Sequence, residues 1–454
     1  MKQKTIGGFG LRFALAVLCV AVCLGAPAQQ QKAGTAGKDA TASGAKPKFL
    51  VNYDESKVGE VTLPDPLKLN DGTAVTTKEQ WQKQRRPELL RMLQSEEYGQ
   101  PPRGLADLKF EVTEEKKDAL DGKATRKIVH IFLKKHPAWS GMDLMIYIPN
   151  EAKRPAPAFL GLNFGGNHAA STEKDVPLPR DYAKKAGSSN RVPKNPEDAR
   201  GSAADSWPLE LALARGYAIA TAWYFDIEPD YLGGWEKGLR GAVAQEKPDP
   251  RWDAERSWSA IGAWAWGLSR ALDYLVTDKA INAKKVAVVG HSRLGKTALW
   301  AGASDSRFAI VISNDSGEGG AALARRNYGE TIESMQISFP FWFCQKHWSW
   351  VGKVDQMPID QHMLIALCAP RPVYVASASE DKWADPKGEF LAAKAAEPVY
   401  ALFGKSGLDV KEWPGADIPV GDTIGYHLRT GAHAITEYDW TQYLNFADKH
   451  YGRD

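Results

Sequence analysis

Two rhythms of hydrophobic and polar positions run along the chain. Short apolar runs at 124–133, 142–148, 159–164 and 217–224, rich in Val, Ile, Leu and Phe or small apolar residues, predict strands. Further buried strands are expected at 286–289, 308–313, 372–378 and around 426–429. A 3.6-residue rhythm at 81–98, with Leu89, Leu90, Met92 and Leu93, predicts an amphipathic helix that tolerates Pro87 and ends at Gly99-Gln100-Pro101-Pro102. A short helix is expected at 209–215 and a long one at 257–278. In the long one Trp258, Ile261, Trp264, Leu268, Leu272 and Leu275 form a core stripe, which assigns those tryptophans to packing. Segment 170–208 is polar and punctuated by Gly and Pro and reads as a long surface excursion, and 225–250 reads as another irregular, aromatic-bearing excursion. Alternating strands and helices imply a largely parallel sheet covered on both faces. The expected class is therefore α/β, a three-layer sandwich with a mostly parallel central sheet. Long loops should follow the strands' C-terminal ends, where open α/β sheets bind ligands.

Residues 1–28 break this pattern. Lys2 and Lys4 precede an apolar stretch from Phe13 to Leu24 and an Ala26-Pro27-Ala28 cleavage site, the layout of a secretory signal. The expected location is secreted or periplasmic. Residues 29–48 are Gln, Lys, Gly, Ala, Ser and Thr, a flexible linker, and 49–454 is read as one domain. The formal net charge of +3 changes meaning once Lys2, Lys4 and Arg12 are removed with the signal: 58 basic residues become 55, against 55 acidic. A neutral domain gives no electrostatic argument for nucleic acid, or for a membrane after signal removal. A monomer is expected. Of four cysteines only Cys344 and Cys368 lie beyond the signal, either as a bridge or as two buried thiols. No Cys or His spacing typical of structural zinc occurs, and no metal or other cofactor is expected. The 16 tryptophans are compatible with a sugar ligand without requiring one.

The candidate chemistry centres on Val286-Ala287-Val288-Val289-Gly290-His291-Ser292-Arg293-Leu294-Gly295-Lys296. A buried strand, a tight turn at Gly-His-Ser and a helix in immediate succession form a nucleophile elbow, the signature of α/β-hydrolases. Ser292 is the candidate nucleophile, and the Arg293 N–H at the helix start is an oxyanion donor. Position 294 is Leu, so the second glycine arrives one residue late, at Gly295. Gly165-Gly166 after the 159–164 strand stands where such folds often place a second oxyanion donor. The chain order Ser, acid, His makes His433, in Gly431-Ala432-His433-Ala434, the candidate base, with His427 a structural residue within a strand. Two loops offer the third member. Asp315 follows one strand and Asp381 the next, and Asp315 is placed slightly ahead.

These residues resemble the glucuronoyl esterases, carbohydrate esterase family 15. Gly290-His291-Ser292-Arg293-Leu294-Gly295-Lys296 is similar to that family's G-x-S-R-x-G-K elbow, displaced glycine included. Asp315-Ser316-Gly317-Glu318-Gly319-Gly320, Ala369-Pro370-Arg371-Pro372, Trp383 and Gly431-Ala432-His433 look like its later blocks in order. The resemblance spans roughly 80–450. It implies an α/β-hydrolase that cleaves the ester between 4-O-methyl-glucuronate of xylan and lignin alcohols. It assigns Ser292 as nucleophile and His433 as base. Arg293 would form the oxyanion hole through its N–H and side chain. Lys296, Trp383 and, by looser alignment, Glu330 would bind the sugar. Many members carry Glu where this chain has Asp315, and the shorter side chain strengthens the case for Asp381. Two other readings stand beside this one. One is a different carbohydrate or carboxylic ester hydrolase, such as an acetyl xylan esterase. The other is a non-catalytic glycan-binding protein on a hydrolase scaffold, against which Ser292, His433 and the two acids argue.

Overall fold

Successive residues along a strand face two different cores. Leu160, Leu162, Val286, Val288 and Val311 belong to one, and Phe159, Ala287, Val289, Ile310 and Ile312 to the other. Side chains alternate across a strand, so a strand with no polar face must be covered on both sides. In the computed structural model, which describes residues 49–102, 105, 107–152, 155–245, 253–254 and 256–453, this is what happens. The expected signal and linker, 1–28 and 29–48, lie outside the described residues.

The sheet has ten strands in the order β1-β2-β3-β5-β4-β6-β7-β8-β10-β9. They are β1 (Leu108–Ala119), β2 (Ala124–Leu133), β3 (Met142–Pro149), β4 (Ala156–Asn163), β5 (Ala218–Trp223), β6 (Ile281–His291), β7 (Ile310–Asn314), β8 (Val373–Ala378), β9 (Val420–Gly421) and β10 (Ile424–Arg429). From β5 through β4, β6, β7 and β8 to β10 every pairing is parallel, while β1, β2, β3 and β9 pair antiparallel at the two ends. Helices α2 (Ala260–Leu275) and α3 (Arg293–Ser304) bury Trp264, Leu268, Leu294 and Leu299 on one face of the sheet. Helix α5 (Glu437–Tyr451) buries Trp440, Tyr443 and Leu444 on the other. The fold is the expected three-layer α/β-hydrolase sandwich.

Two details differ from the sequence expectation, and a third decides between two alternatives. Helix 81–98 is one α-segment, α1 (Arg86–Leu93), flanked by π-helical turns at Trp81–Arg85 and Gln94–Tyr98. Strand β1 was not expected: it is an edge with one neighbour to pair, and its short Leu108-Phe110-Val112 alternation gives way to a charged run from Glu114 to Asp118. Cys344 and Cys368 are free and buried, the second of the two alternatives that the sequence leaves open. Among the described residues no helix is long and apolar enough to cross a membrane.

A buried carboxyl braces the sheet beneath the loops. Glu389, on α4 (Pro386–Ala395), accepts bonds from the N–H groups of Ser316 (2.7 Å) and Gly317 (3.0 Å) and from the hydroxyl of Ser377 (2.6 Å), joining the loops and strands around β7 and β8. Burial is the main cause that pushes its pKa from 4.5 up to about 8, against the opposing pull of those bonds. Between these two values the folded protein holds a proton that the unfolded chain has released. The stability this group contributes is therefore complete below 4.5 and lost as pH rises through about 8. Thermal melts across that window should decline with pH by on the order of a few degrees. Glu389→Gln, which copies the protonated shape, should flatten the decline; a slope identical to wild type would show that Glu389 does not titrate there.

Candidate active site

The elbow is built by steric necessity. Ser292 has φ 58° and ψ −131°, at the turn where β6 ends and α3 begins. A Cβ at Gly290 would stand 1.9 Å from the Leu294 carbonyl oxygen, so only glycine lets the chain double back there. The late glycine also has its reason. Leu294 is buried in the core, whereas a Cβ at Gly295 would meet the Asn314 carbonyl oxygen and the Ser316 Cβ, each at 3.0 Å. The Ser292 N–H donates to the Asn314 carbonyl (2.8 Å), and the Gly295 and Lys296 N–H groups return to the Ser292 carbonyl. That leaves the Arg293 N–H, one residue into the helix, with no helical acceptor.

The strands beyond the elbow deliver the base and acids to it. The His433 ring lies 4.5 Å, centroid to centroid, from that of His291, the residue preceding Ser292. Its Nδ1–H donates to Asp381 Oδ2 at 2.5 Å. Asp315 Oδ2 stands 4.0 Å from the same nitrogen and instead accepts the N–H of Ala434 (3.2 Å). The order of contact is thus the reverse of the order read from sequence: Asp381 bonds the imidazole and Asp315 grips the backbone beside it. Parallel neighbours explain the delivery. β8 and β10 pair up to Ala378 and Arg429, and the bonds continue beyond, from Ser379 N–H to the Arg429 carbonyl (2.8 Å) and from Glu380 N–H to the Gly431 carbonyl (2.9 Å). Arg429 Nη2 donates to the carbonyls on both sides of His433, those of Ala432 (2.7 Å) and Ala434 (3.0 Å). His427 is buried between Tyr374 and Asp439, as a structural residue should be.

Burial, then the carboxylates of Asp381, Glu389 and Asp439, push the Asp315 pKa well above the ordinary value. A protonated Asp315 adds no second negative charge beside Asp381. Burial, and after it His433, hold His291 well below its ordinary value. A neutral imidazole therefore neighbours the base. His291, Asp315 and His433 are the described residues whose spacing approaches that of a metal site. Asp315 Oδ2 is 3.9 and 4.0 Å from the two Nδ1 atoms, and both of these are already bonded, to Asn314 and Asp381. Each of the three is thus hydrogen-bonded to a group outside the set rather than turned toward a shared centre.

A second cluster is built on the first turn of α3. Lys296 Nζ, buried, donates to the carbonyls of Ser316 and Glu318 and to Glu330 Oε2, each at 2.6 Å. An ammonium has three donors, so all are engaged and Lys296 holds Glu330 rather than standing free. Glu330 Oε1 accepts the Trp383 Nε1–H (3.1 Å), which brings all three residues together. Gly317, at φ 61°, permits this, since a Cβ there would lie 2.4 Å from Glu330 Oε2. The Gly165-Gly166 loop does not supply the expected donor through Gly166, whose N–H is bonded to Asn163 Oδ1 (2.8 Å). Its contribution at the elbow is Phe164, whose ring faces the Arg293 guanidinium at 5.5 Å. Sequence reasoning missed Asp230, which accepts from Arg293 Nη1 (2.6 Å), and Trp342, over which that guanidinium lies at 4.8 Å. Neither stands in a motif, and Asp230 falls in an irregular segment with no periodicity to mark it.

A hydroxyl on a sharp turn, an imidazole paired to a buried carboxylate and a cation at the helix start can together carry out acyl transfer. Residues 251–404 match the family described as "Glucuronyl esterase, fungi". A carbohydrate esterase of an unknown prokaryotic organism is 49% identical over 403 residues, which is 88% of this chain and 92% of that protein. The solved glucuronoyl esterase from Solibacter usitatus superposes with a TM-score of 0.82 at 46% identity, covering 88% of this chain and all of the other. A promiscuous CE15 esterase from a marine bacterial metagenome gives a TM-score of 0.79 at 48% identity, with coverage of 88% and 100%. The chain therefore belongs to the glucuronoyl esterases of carbohydrate esterase family 15, and is a carboxylic ester hydrolase.

Proposed function

We propose that this enzyme hydrolyses esters of (4-O-methyl-)glucuronate, those joining glucuronoxylan to lignin alcohols, through an acyl-enzyme on Ser292. The observation that carries this reading is the His433–Asp381 pair beside the elbow, together with the Lys296–Glu330–Trp383 cluster built on the first turn of the elbow helix. The Ser292 hydroxyl attacks the ester carbonyl while His433 Nε2 takes its proton. Asp381, on Nδ1–H, fixes the tautomer and stabilises the imidazolium. The carbonyl oxygen becomes an oxyanion, which meets the Arg293 N–H and the Arg293 guanidinium. The ester C–O bond then breaks, and His433 returns the proton to the departing alcohol. Water, deprotonated by the same imidazole, attacks the acyl-enzyme and releases glucuronate. Glu330 and Trp383 orient the sugar, and Lys296 acts chiefly by holding Glu330, unless a sugar hydroxyl replaces one of its carbonyl partners. Asp315 steadies the backbone after His433 and leaves Asp381 as the charged partner. The signal pattern at 1–28 supports export to the periplasm or beyond, and the neutral charge balance of the remaining chain gives no electrostatic pull toward nucleic acid or an anionic membrane.

Ser292→Ala should lower turnover of benzyl glucuronate by about 10⁴-fold or more while sugar binding persists; retained turnover would remove Ser292 from the mechanism. Wild type should cleave benzyl glucuronate far faster than acetylated xylan or p-nitrophenyl acetate, and the opposite preference would favour an acetyl esterase. Asp381→Ala should reduce kcat by about 10²-fold or more and Asp315→Ala by about tenfold. Equal losses in the two single variants would make the acids equal partners of His433.

A further inference from the structure

Three loops and the end of a strand converge on one carboxylate beside the elbow. Asp230, fully buried, accepts from Arg293 Nη1 (2.6 Å), from the Trp342 Nε1–H (2.7 Å) and from the Tyr224 hydroxyl (3.0 Å). Arg191 stands with Nε 3.2 Å from Asp230 Oδ2 and also bonds the Asp230 carbonyl (3.1 Å). Arg191 comes from the 170–208 excursion, Asp230 from that at 225–250 and Trp342 from the segment before β8, while Tyr224 directly follows β5. None of these residues belongs to the nucleophile–base–acid set.

We propose that Asp230 is a positioning residue for the reaction, aiming the Arg293 guanidinium at the oxyanion. This rests on the reading of Arg293 as an oxyanion donor. A free arginine side chain has several rotatable bonds and loses much conformational freedom when fixed. Here one nitrogen is pinned by Asp230, while the Trp342, Phe164 and Phe339 rings surround the guanidinium carbon at 4.8, 5.5 and 5.9 Å. The group is thus held before substrate arrives, and pre-set donors are what a developing oxyanion requires. Burial would raise the Asp230 carboxyl, but Arg293 and Arg191, with the hydrogen bonds from Trp342 and Arg293, hold it below the ordinary carboxylate range. Asp230 is therefore ionised throughout the working pH range. Two guanidinium groups against one carboxylate leave a net positive charge next to Ser292.

That charge count separates aim from simple electrostatics. If Asp230 only diluted positive charge, its removal would favour the oxyanion and raise kcat. If it aims Arg293, its removal lowers kcat and leaves KM nearly unchanged. The test measures kcat and KM on benzyl glucuronate, with melting temperatures, for full-chain Arg293→Met, Asp230→Asn, the double variant and Tyr224→Phe. Arg293→Met should lower kcat by about 10²-fold. Asp230→Asn should lower it by about tenfold with KM within about twofold. The double variant should match Arg293→Met alone, since a residue acting through Arg293 has nothing to act on without it. Tyr224→Phe, which keeps the ring, should lower kcat by about threefold. A faster or unchanged Asp230→Asn enzyme, or additive losses in the double variant, would overturn the proposal while leaving the oxyanion reading intact. Unchanged kcat in Arg293→Met would overturn that reading and this proposal with it. Should Asp230→Asn fail to fold, unchanged kcat in Tyr224→Phe overturns the proposal.

Discussion

The backbone at Ser292 is the constraint on which the rest depends. A serine held at φ 58° is strained by about 1–3 kcal/mol, and only surrounding structure keeps it there. That structure is specific: Gly290 with no room for a Cβ, the Ser292 N–H tied to the end of β7, and α3 packed through Leu294 into the core. The sharp reversal lifts the hydroxyl out of the sheet and points the helix start at the same space. A relaxed turn would place the side chain within the sheet or against α3, out of reach of an imidazole.

The same economy governs the base. Its loop and the loop carrying Asp381 are consecutive extensions of paired parallel strands, so ladder bonds that begin in the sheet continue into the site. Geometry decided in the core is passed outward with little freedom left. Arg429, bonded on both sides of His433, finishes the job from below and is itself paired with Asp439 at 3.0 Å. The buried carboxyls are then kept apart in charge. Asp315 and Glu389 favour their protonated forms, and Asp230 is held ionised by two arginines.

Much of this could be read from the chain alone because strand–turn–helix patterns are local. The elbow, the parallel sheet and His433 all follow from runs of a dozen residues or fewer. Which acid touches the imidazole does not. Asp315 and Asp381 both follow parallel strands, and only the extra reach of the loop beyond β8 separates 2.5 Å from 4.0 Å. Asp230, Trp342 and Glu389 were invisible for a related reason. Most of their partners lie tens of residues away, and single residues in aperiodic or ordinary helical segments carry no pattern. Strand β1 escaped because its apolar alternation covers only Leu108, Phe110 and Val112 before charged residues take over the edge.

The two thiols have a practical meaning. Cys344 and Cys368 are buried, unbridged and pushed upward in pKa, chiefly by burial, so each behaves as a small apolar filler rather than a nucleophile. Nothing in the folded domain depends on an oxidant. Its maturation is thereby uncoupled from disulfide-forming machinery, and a reducing host cytosol should yield the same active fold as an oxidising one.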